Sequence, residues 1–171
     1  MFGKLNLNYY FSSDPFKSQI LTGRQPKELL KLCEFNPQDR FKLLYRASEH
    51  GFESNDFHSK CDGKANNLTI LKASESSFIF GGFTTKSWDG NSGYKSDPNA
   101  FLFSLTNKDN QPCKMKIDPK EHRYAINFCS AYGPTFGFEE IKIASNANLN
   151  KNSLSDLGDI YKHPRICSWN K

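Results

Sequence analysis

Apolar residues in this chain arrive in short bursts divided by turn chemistry, too brief for packed helices. Leu68-Thr69-Ile70-Leu71, Phe78-Ile79-Phe80 and Ala100-Phe101-Leu102-Phe103-Ser104-Leu105 are the plainest of them. Cys113-Lys114-Met115-Lys116-Ile117 and Ile141-Lys142-Ile143 alternate apolar and polar, the period of a strand with one face covered. Ala125-Ile126-Asn127-Phe128-Cys129 and Phe41-Lys42-Leu43-Leu44-Tyr45-Arg46 complete the series. Runs of this length, bounded by Gly, Asn, Asp and Ser, read as about seven strands. Leu68–Leu71 and Phe78–Phe80, joined through Glu75-Ser76-Ser77, read as a hairpin, and Gly81-Gly82 after it suits a bend or a close backbone approach.

Two helical patterns stand near the front. Pro26 opens the first, with Leu29, Leu30 and Leu32 following, and Asn36-Pro37 stops it. Ser54 is placed to cap the second, which puts Phe57 and Cys61 on one face before Asp62-Gly63 ends it. A short helix or ordered loop is expected around Leu154 and Leu157. Many short strands with few helices predict an α+β, mainly β fold: a two-sheet antiparallel sandwich with short helices capping its edges.

A chain of 171 residues suits one domain with a real core. Hydrophobic content is only 37%, but the 15 Phe supply large anchors. The formal net charge of +5 is scattered, with no basic stripe, which argues against a nucleic-acid groove. The amino terminus lacks a continuous apolar segment of the kind a secretory leader carries, and no stretch predicts direct membrane insertion. A cytoplasmic location follows as the expectation, with association to an organelle or cytoskeletal assembly left open. Five cysteines at Cys33, Cys61, Cys113, Cys129 and Cys167 form no CxxC pair, so reduced thiols are expected.

The order of segments resembles the TLDc domain, and among its members those of protists linked to BTB modules. The carriers begin with Phe41–Ser48, Gly51-Phe52, Phe57-His58 and Cys61-Asp62. Leu68-Thr69-Ile70, Phe80-Gly81-Gly82-Phe83-Thr84 and Trp88 follow. Ser96-Asp97-Pro98-Asn99-Ala100-Phe101-Leu102-Phe103-Ser104-Leu105 is the most specific stretch. Tyr132-Gly133-Pro134-Thr135-Phe136-Gly137, Ile143-Ala144-Ser145-Asn146, Leu157-Gly158 and Tyr161 complete the set. On this basis residues 1–23 read as an extended lead-in, 24–161 as the TLDc-like domain and 162–171 as a divergent tail. Two departures stand out. The family commonly runs several glycines and then His-Asp after the position of Phe136, where this chain has Gly137-Phe138-Glu139-Glu140. The family also usually closes on a strand bearing acidic and aromatic residues, which the tail here lacks. Residues 5–11, with Leu5, Leu7, Tyr9 and Phe11 alternating, or a strand from a partner, are the candidates to fill that gap.

The resemblance implies a protein tied to oxidation resistance that binds the vacuolar proton pump (V-ATPase), without an established catalytic mechanism. The residues themselves assign no catalytic, cofactor or metal site. Ser48-Glu49-His50 are sequence neighbours, whereas a triad is set by geometry. His58 and Cys61 make only half of a zinc ligand set. Asp97-Pro98-Asn99 reads as turn initiation, and Glu139-Glu140 point to opposite faces if extended. The expected function is a non-catalytic protein-binding domain that uses loops 86–99 and 145–163 and an open sheet edge. Trp88, Tyr94, Asp97, Phe138, Glu139 and Glu140 are the candidate partner-contacting residues. The alternatives are a structural accessory subunit of a large cytoskeletal or organellar assembly, and a redox protein using Cys61, which has Lys60 and Lys64 nearby.

Overall fold

The computed structural model describes residues 15–90, 92–162 and 164. Two antiparallel sheets face one another, as the alternating runs predict. Among the described residues the strands are β1 (Asn67–Lys72), β2 (Ile79–Thr84), β3 (Gly93–Lys95), β4 (Phe101–Thr106), β5 (Cys113–Ile117), β6 (Ile126–Phe128), β7 (Tyr132–Phe136), β8 (Ile141–Ala144) and β9 (Tyr161–Lys162). The larger sheet has the order β1-β2-β4-β5-β9 and the smaller β3-β6-β7-β8. The expected hairpin is β1 and β2, with Leu68 opposite Phe83 and Lys72 opposite Ile79.

β4 is the centre of the molecule, and its run of apolar residues has a direct cause: both of its faces are covered. Leu102 points between the sheets into a core with Met115, Ile126, Phe136, Ile141 and Tyr161. Phe101, Phe103 and Leu105 point the other way, into a second core with Phe16, Leu21, Leu29 and Cys33. Leu102 and Phe103 are both fully buried, each worth about 1.5–3 kcal/mol of transfer free energy.

That second core is roofed by α1 (Gln25–Cys33). Pro26, Leu29 and Cys33 are its buried residues, a spacing that puts them on one helical face. The helix therefore lies over the face of the larger sheet and does not cap an edge, which corrects the expected placement. The outer side of that sheet is too apolar to meet water, so the helix is needed there and not at the rim. Lys114 reaches out of β5 to the α1 end, donating to the Cys33 carbonyl at 3.0 Å and pairing with Glu34 at 2.8 Å.

Gly81 and Gly82 lie inside β2, and close approach is the reason for both. A Cβ on Gly81 would sit 1.9 Å from the Thr69 carbonyl oxygen of β1. A Cβ on Gly82 would sit 2.7 Å from Leu102 Cδ2 and from the Phe136 ring of the opposite sheet. The missing side chain of Gly81 lets β1 approach, and that of Gly82 lets the opposite sheet approach.

Several local expectations change. Among the described residues Phe41–Arg46 pairs with no strand; it is an irregular passage into α2 (Ala47–His50). Its apolar side chains serve two cores instead of one sheet face: Phe41 packs on the outer core, Leu44 and Tyr45 on the inner. Ser54 is the first residue of α3 (Ser54–Cys61), not its cap. Glu53 holds the cap position, its amide donating to Asp56 Oδ2 at 3.0 Å, while the Ser54 amide donates to Ser145 Oγ at 3.0 Å. Leu154 forms no helix; it bridges Lys142 through two backbone hydrogen bonds of 2.9 Å. β9 runs beside β5, with Tyr161 opposite Ile117, on an edge of the larger sheet. The alternating segment 5–11 lies outside the described residues.

Candidate interaction surface

The six candidate contact residues separate into two layers. Trp88, Asp97 and Glu140 are essentially fully buried, so their side chains cannot themselves meet a partner. Tyr94 and Phe138 are 41% and 43% exposed, and Glu139 lies half-buried between. The buried layer holds the exposed one in place.

Trp88 stands beneath as apolar support, edge-on to Phe57 at 5.7 Å and to Phe136 at 5.3 Å between ring centroids. Asp97 is a polar anchor. Its Oδ2 accepts from Thr84 Oγ1 at 2.7 Å and from the Thr85 amide at 2.6 Å. Its Oδ1 accepts from Thr85 Oγ1 at 2.9 Å and from the Asn99 amide at 3.0 Å, the latter being the turn-initiating bond expected of Asp-Pro-Asn. The Asp97 amide donates to the His122 carbonyl at 2.9 Å, and Ser96 Oγ lies 2.7 Å from His122 Nδ1. The Asp97 carboxylate thus ties the end of β2 to the residues after β3, and the Asp97 amide together with Ser96 ties these to the 3-10 helix His122–Tyr124.

Glu140 is the second anchor. Its Oε1 accepts three backbone amides, Gly158 at 3.2 Å, Ile160 at 3.0 Å and Tyr161 at 3.0 Å. Its Oε2 is buried with no protein hydrogen-bond partner among the described residues. Burial raises the Glu140 carboxyl above its ordinary range, opposed in part by those three amides. Gly137 is required beside it: its φ is +63°, and a Cβ there would meet Glu140 Oε2 at 2.1 Å. The Gly137 amide donates to the Ala125 carbonyl at 3.0 Å, and Tyr161 Oη donates to the same oxygen at 2.6 Å. The β7–β8 turn, which carries Phe138, is fixed at both ends.

On this frame three rings form a closed triangle. Tyr94 meets Tyr124 at 5.2 Å and Phe138 at 5.6 Å, both edge-on, and Tyr124 meets Phe138 at 4.7 Å. The Arg123 guanidinium lies 4.7 Å over the Tyr124 ring. Glu139 is occupied by Lys142 at 2.8 Å, and Lys95 by Asp89 at 3.2 Å. Tyr124 and Arg123 were not legible as site residues, because a Tyr after His-Arg in a short turn carries no pattern of its own.

The remaining chemical candidates are engaged structurally. His58 Nδ1 lies 2.7 Å from Asp62 Oδ1, and its Nε2 lies 3.0 Å and 3.2 Å from the carbonyls of Tyr132 and Cys129, so the ring clamps α3 to the β6–β7 loop. His50 Nδ1 accepts the Arg46 amide at 2.9 Å, and Glu49 pairs with Arg46. Cys61 is buried, and burial pushes its thiol up to about 12, as it does for Cys33. A thiol held there has little thiolate at neutral pH, and Lys60 and Lys64 do not reverse that. Cys33, Cys61 and Cys129 are free, whereas Cys113 is disulfide-bonded, so the reduced state expected of all the cysteines does not hold at Cys113. No three His, Cys, Asp or Glu side chains converge as a metal-ligating group among the described residues. No helix among the described residues is long and apolar enough to cross a membrane.

The family model for the TLDc domain matches residues 15–171. This chain belongs to the TLDc family. No curated protein matches it. The family match begins ahead of α1 and runs past β9, so the outer core and the β9 edge both fall inside the TLDc domain. Within this TLDc domain the aromatic triangle draws on β3, the 3-10 helix and the β7–β8 turn, three elements distant in sequence that the smaller sheet brings to one place.

Proposed function

We propose that this TLDc domain acts by docking onto a larger protein assembly, with the vacuolar proton pump as the partner, and that it supports resistance to oxidative stress through that docking without turning over a substrate. One observation carries the reading: large aromatic rings are held exposed on a rigid frame. Leaving Tyr94 and Phe138 side by side in water forgoes the burial that stabilises the two cores, and clustered exposure of this kind marks contact surfaces. The carboxylates that would be first choices for acid–base chemistry are held inside the fold: Asp97 accepts threonine hydroxyls and backbone amides, and Glu140 is buried with its Oε1 taken by three backbone amides. The buried thiol of Cys61 weighs against the redox alternative.

Affinity isolation from native cells followed by mass spectrometry tests this. The unmodified chain is expected to enrich pump subunits, and a Tyr94→Ser, Phe138→Ser variant to lose them while keeping its fold by circular dichroism. Enrichment of a cytoskeletal or other organellar assembly instead would replace the pump as partner. Enrichment that is identical for both proteins would remove the aromatic surface from the account.

A further inference from the structure

We propose that the Tyr94–Tyr124–Phe138 triangle, with Arg123, recognises an acidic protein segment that carries one large apolar side chain. The inference rests on the docking reading and names the chemistry of what docks. Its apolar half follows from the rings. Three side chains from three elements converge with centroids 4.7 to 5.6 Å apart, yet two of the three remain more than one-third exposed. A partner side chain laid on them removes that apolar surface from water without reordering anything, because Asp97 and Glu140 have already fixed the supporting loops. Binding to a preformed surface avoids the ordering cost that a mobile loop would impose.

The acidic half follows from an accounting of local charge. Lys95, next to Tyr94 in the chain, already faces Asp89, and Lys142 faces Glu139, the neighbour of Phe138. In the stretch leading to Tyr124, Asp118 is taken by Lys162, which leaves Lys120 and Arg123 against Glu121. Arg123 has no carboxylate partner among the described residues, and its guanidinium rests on the face of Tyr124. A guanidinium held over a ring in this way can still present its N–H fork to a carboxylate in a two-pronged bond. A single free guanidinium beside three rings suits one or two acidic side chains around an aromatic or leucine. A nucleic acid would want a track of cations, and here two of the nearby cations are already neutralised.

The test is selection of a peptide display library on the full chain, followed by binding of a labelled synthetic peptide of the selected sequence. The enriched peptides are expected to hold Asp or Glu next to Trp, Phe or Leu. Phe138→Ser and Arg123→Glu should each weaken the labelled peptide by about tenfold or more. Exchanging the peptide's acids for lysines should restore binding to Arg123→Glu, which a merely unfolded variant could not show. Enrichment of basic or uncharged peptides, no enrichment at all, or displacement of the peptide by a thymidine oligonucleotide would each overturn the inference. Peptide binding as described with no pump subunits captured from cells sinks the pump reading alone. Pump capture that survives Arg123→Glu sinks this inference alone.

Discussion

The Glu140 carboxylate accepts the Tyr161 amide at 3.0 Å, and both side chains are fully buried, that of Tyr161 in the inner core. One carboxylate thereby links a turn of the smaller sheet to the last strand of the larger. The link carries a cost, since Oε2 is buried without a protein partner.

That cost depends on pH. Burial raises the folded-state value of Glu140 above its ordinary 4.5. A carboxyl shifted upward favours the folded state most when protonated, so its contribution is complete below the ordinary value and is lost as pH rises through the folded one. Wild type should therefore lose stability relative to Glu140→Gln as pH is raised stepwise from the ordinary value of 4.5. Urea unfolding of both proteins across that range checks it; a constant difference would mean that Glu140 does not titrate there.

Asp97 should matter more for stability than its place in a loop suggests. Asp97→Ala strands two threonine hydroxyls, of Thr84 and Thr85, and two amides, of Thr85 and Asn99, around a buried carboxylate, for an expected loss of roughly 2–4 kcal/mol. Thr84→Val, which removes only one of those bonds, should cost less. Chemical denaturation of the two variants gives the comparison.

The glycines of β2 are expected to differ sharply from one in β7. Gly81→Ala drives a methyl into the Thr69 carbonyl and should cost at least about 2 kcal/mol by forcing β1 away. Gly133→Ala meets nothing nearer than Ile143 at 3.4 Å and should be tolerated. Thermal unfolding of both reads the difference, and equal midpoints would contradict the packing described between β1 and β2.

Thiol labelling should follow burial. Among the free cysteines, Cys129 is half-buried and is expected to react first with DTNB in the native protein. Cys33 and Cys61, whose thiols burial raises to about 12, should react only on unfolding. Mass spectrometry of the labelled peptides assigns the order. Rapid native labelling of Cys61 would revive the redox alternative.

What the sequence made legible is what periodicity encodes. The two-sided burial of β4 is visible in Ala100–Leu105, and the one-sided burial of β5 in the alternation from Cys113 to Ile117. β7 stayed hidden because Gly133-Pro134 interrupts it; the strand tolerates the proline where its register against β8 shifts. β3 stayed hidden because three residues in a Gly- and Ser-rich loop have too little pattern to register. Phe41–Arg46 misled for the opposite reason, since side chains that serve two cores mimic those of a buried strand. The site divided along the same line. Tyr94 and Phe138 are exposed as expected of contact residues, but Asp97 and Glu140 are internal struts, and only the assembled fold brings Tyr124 and Arg123 beside the rings.

The three amides that compensate Glu140 all come from residues 158–161, eighteen or more positions later in the chain. During synthesis the turn bearing Phe138 leaves the ribosome first and waits with its acid unanswered. The aromatic face therefore gains its full support only once residues 158–161 have emerged, and a shorter nascent chain has no finished surface to offer a partner too early.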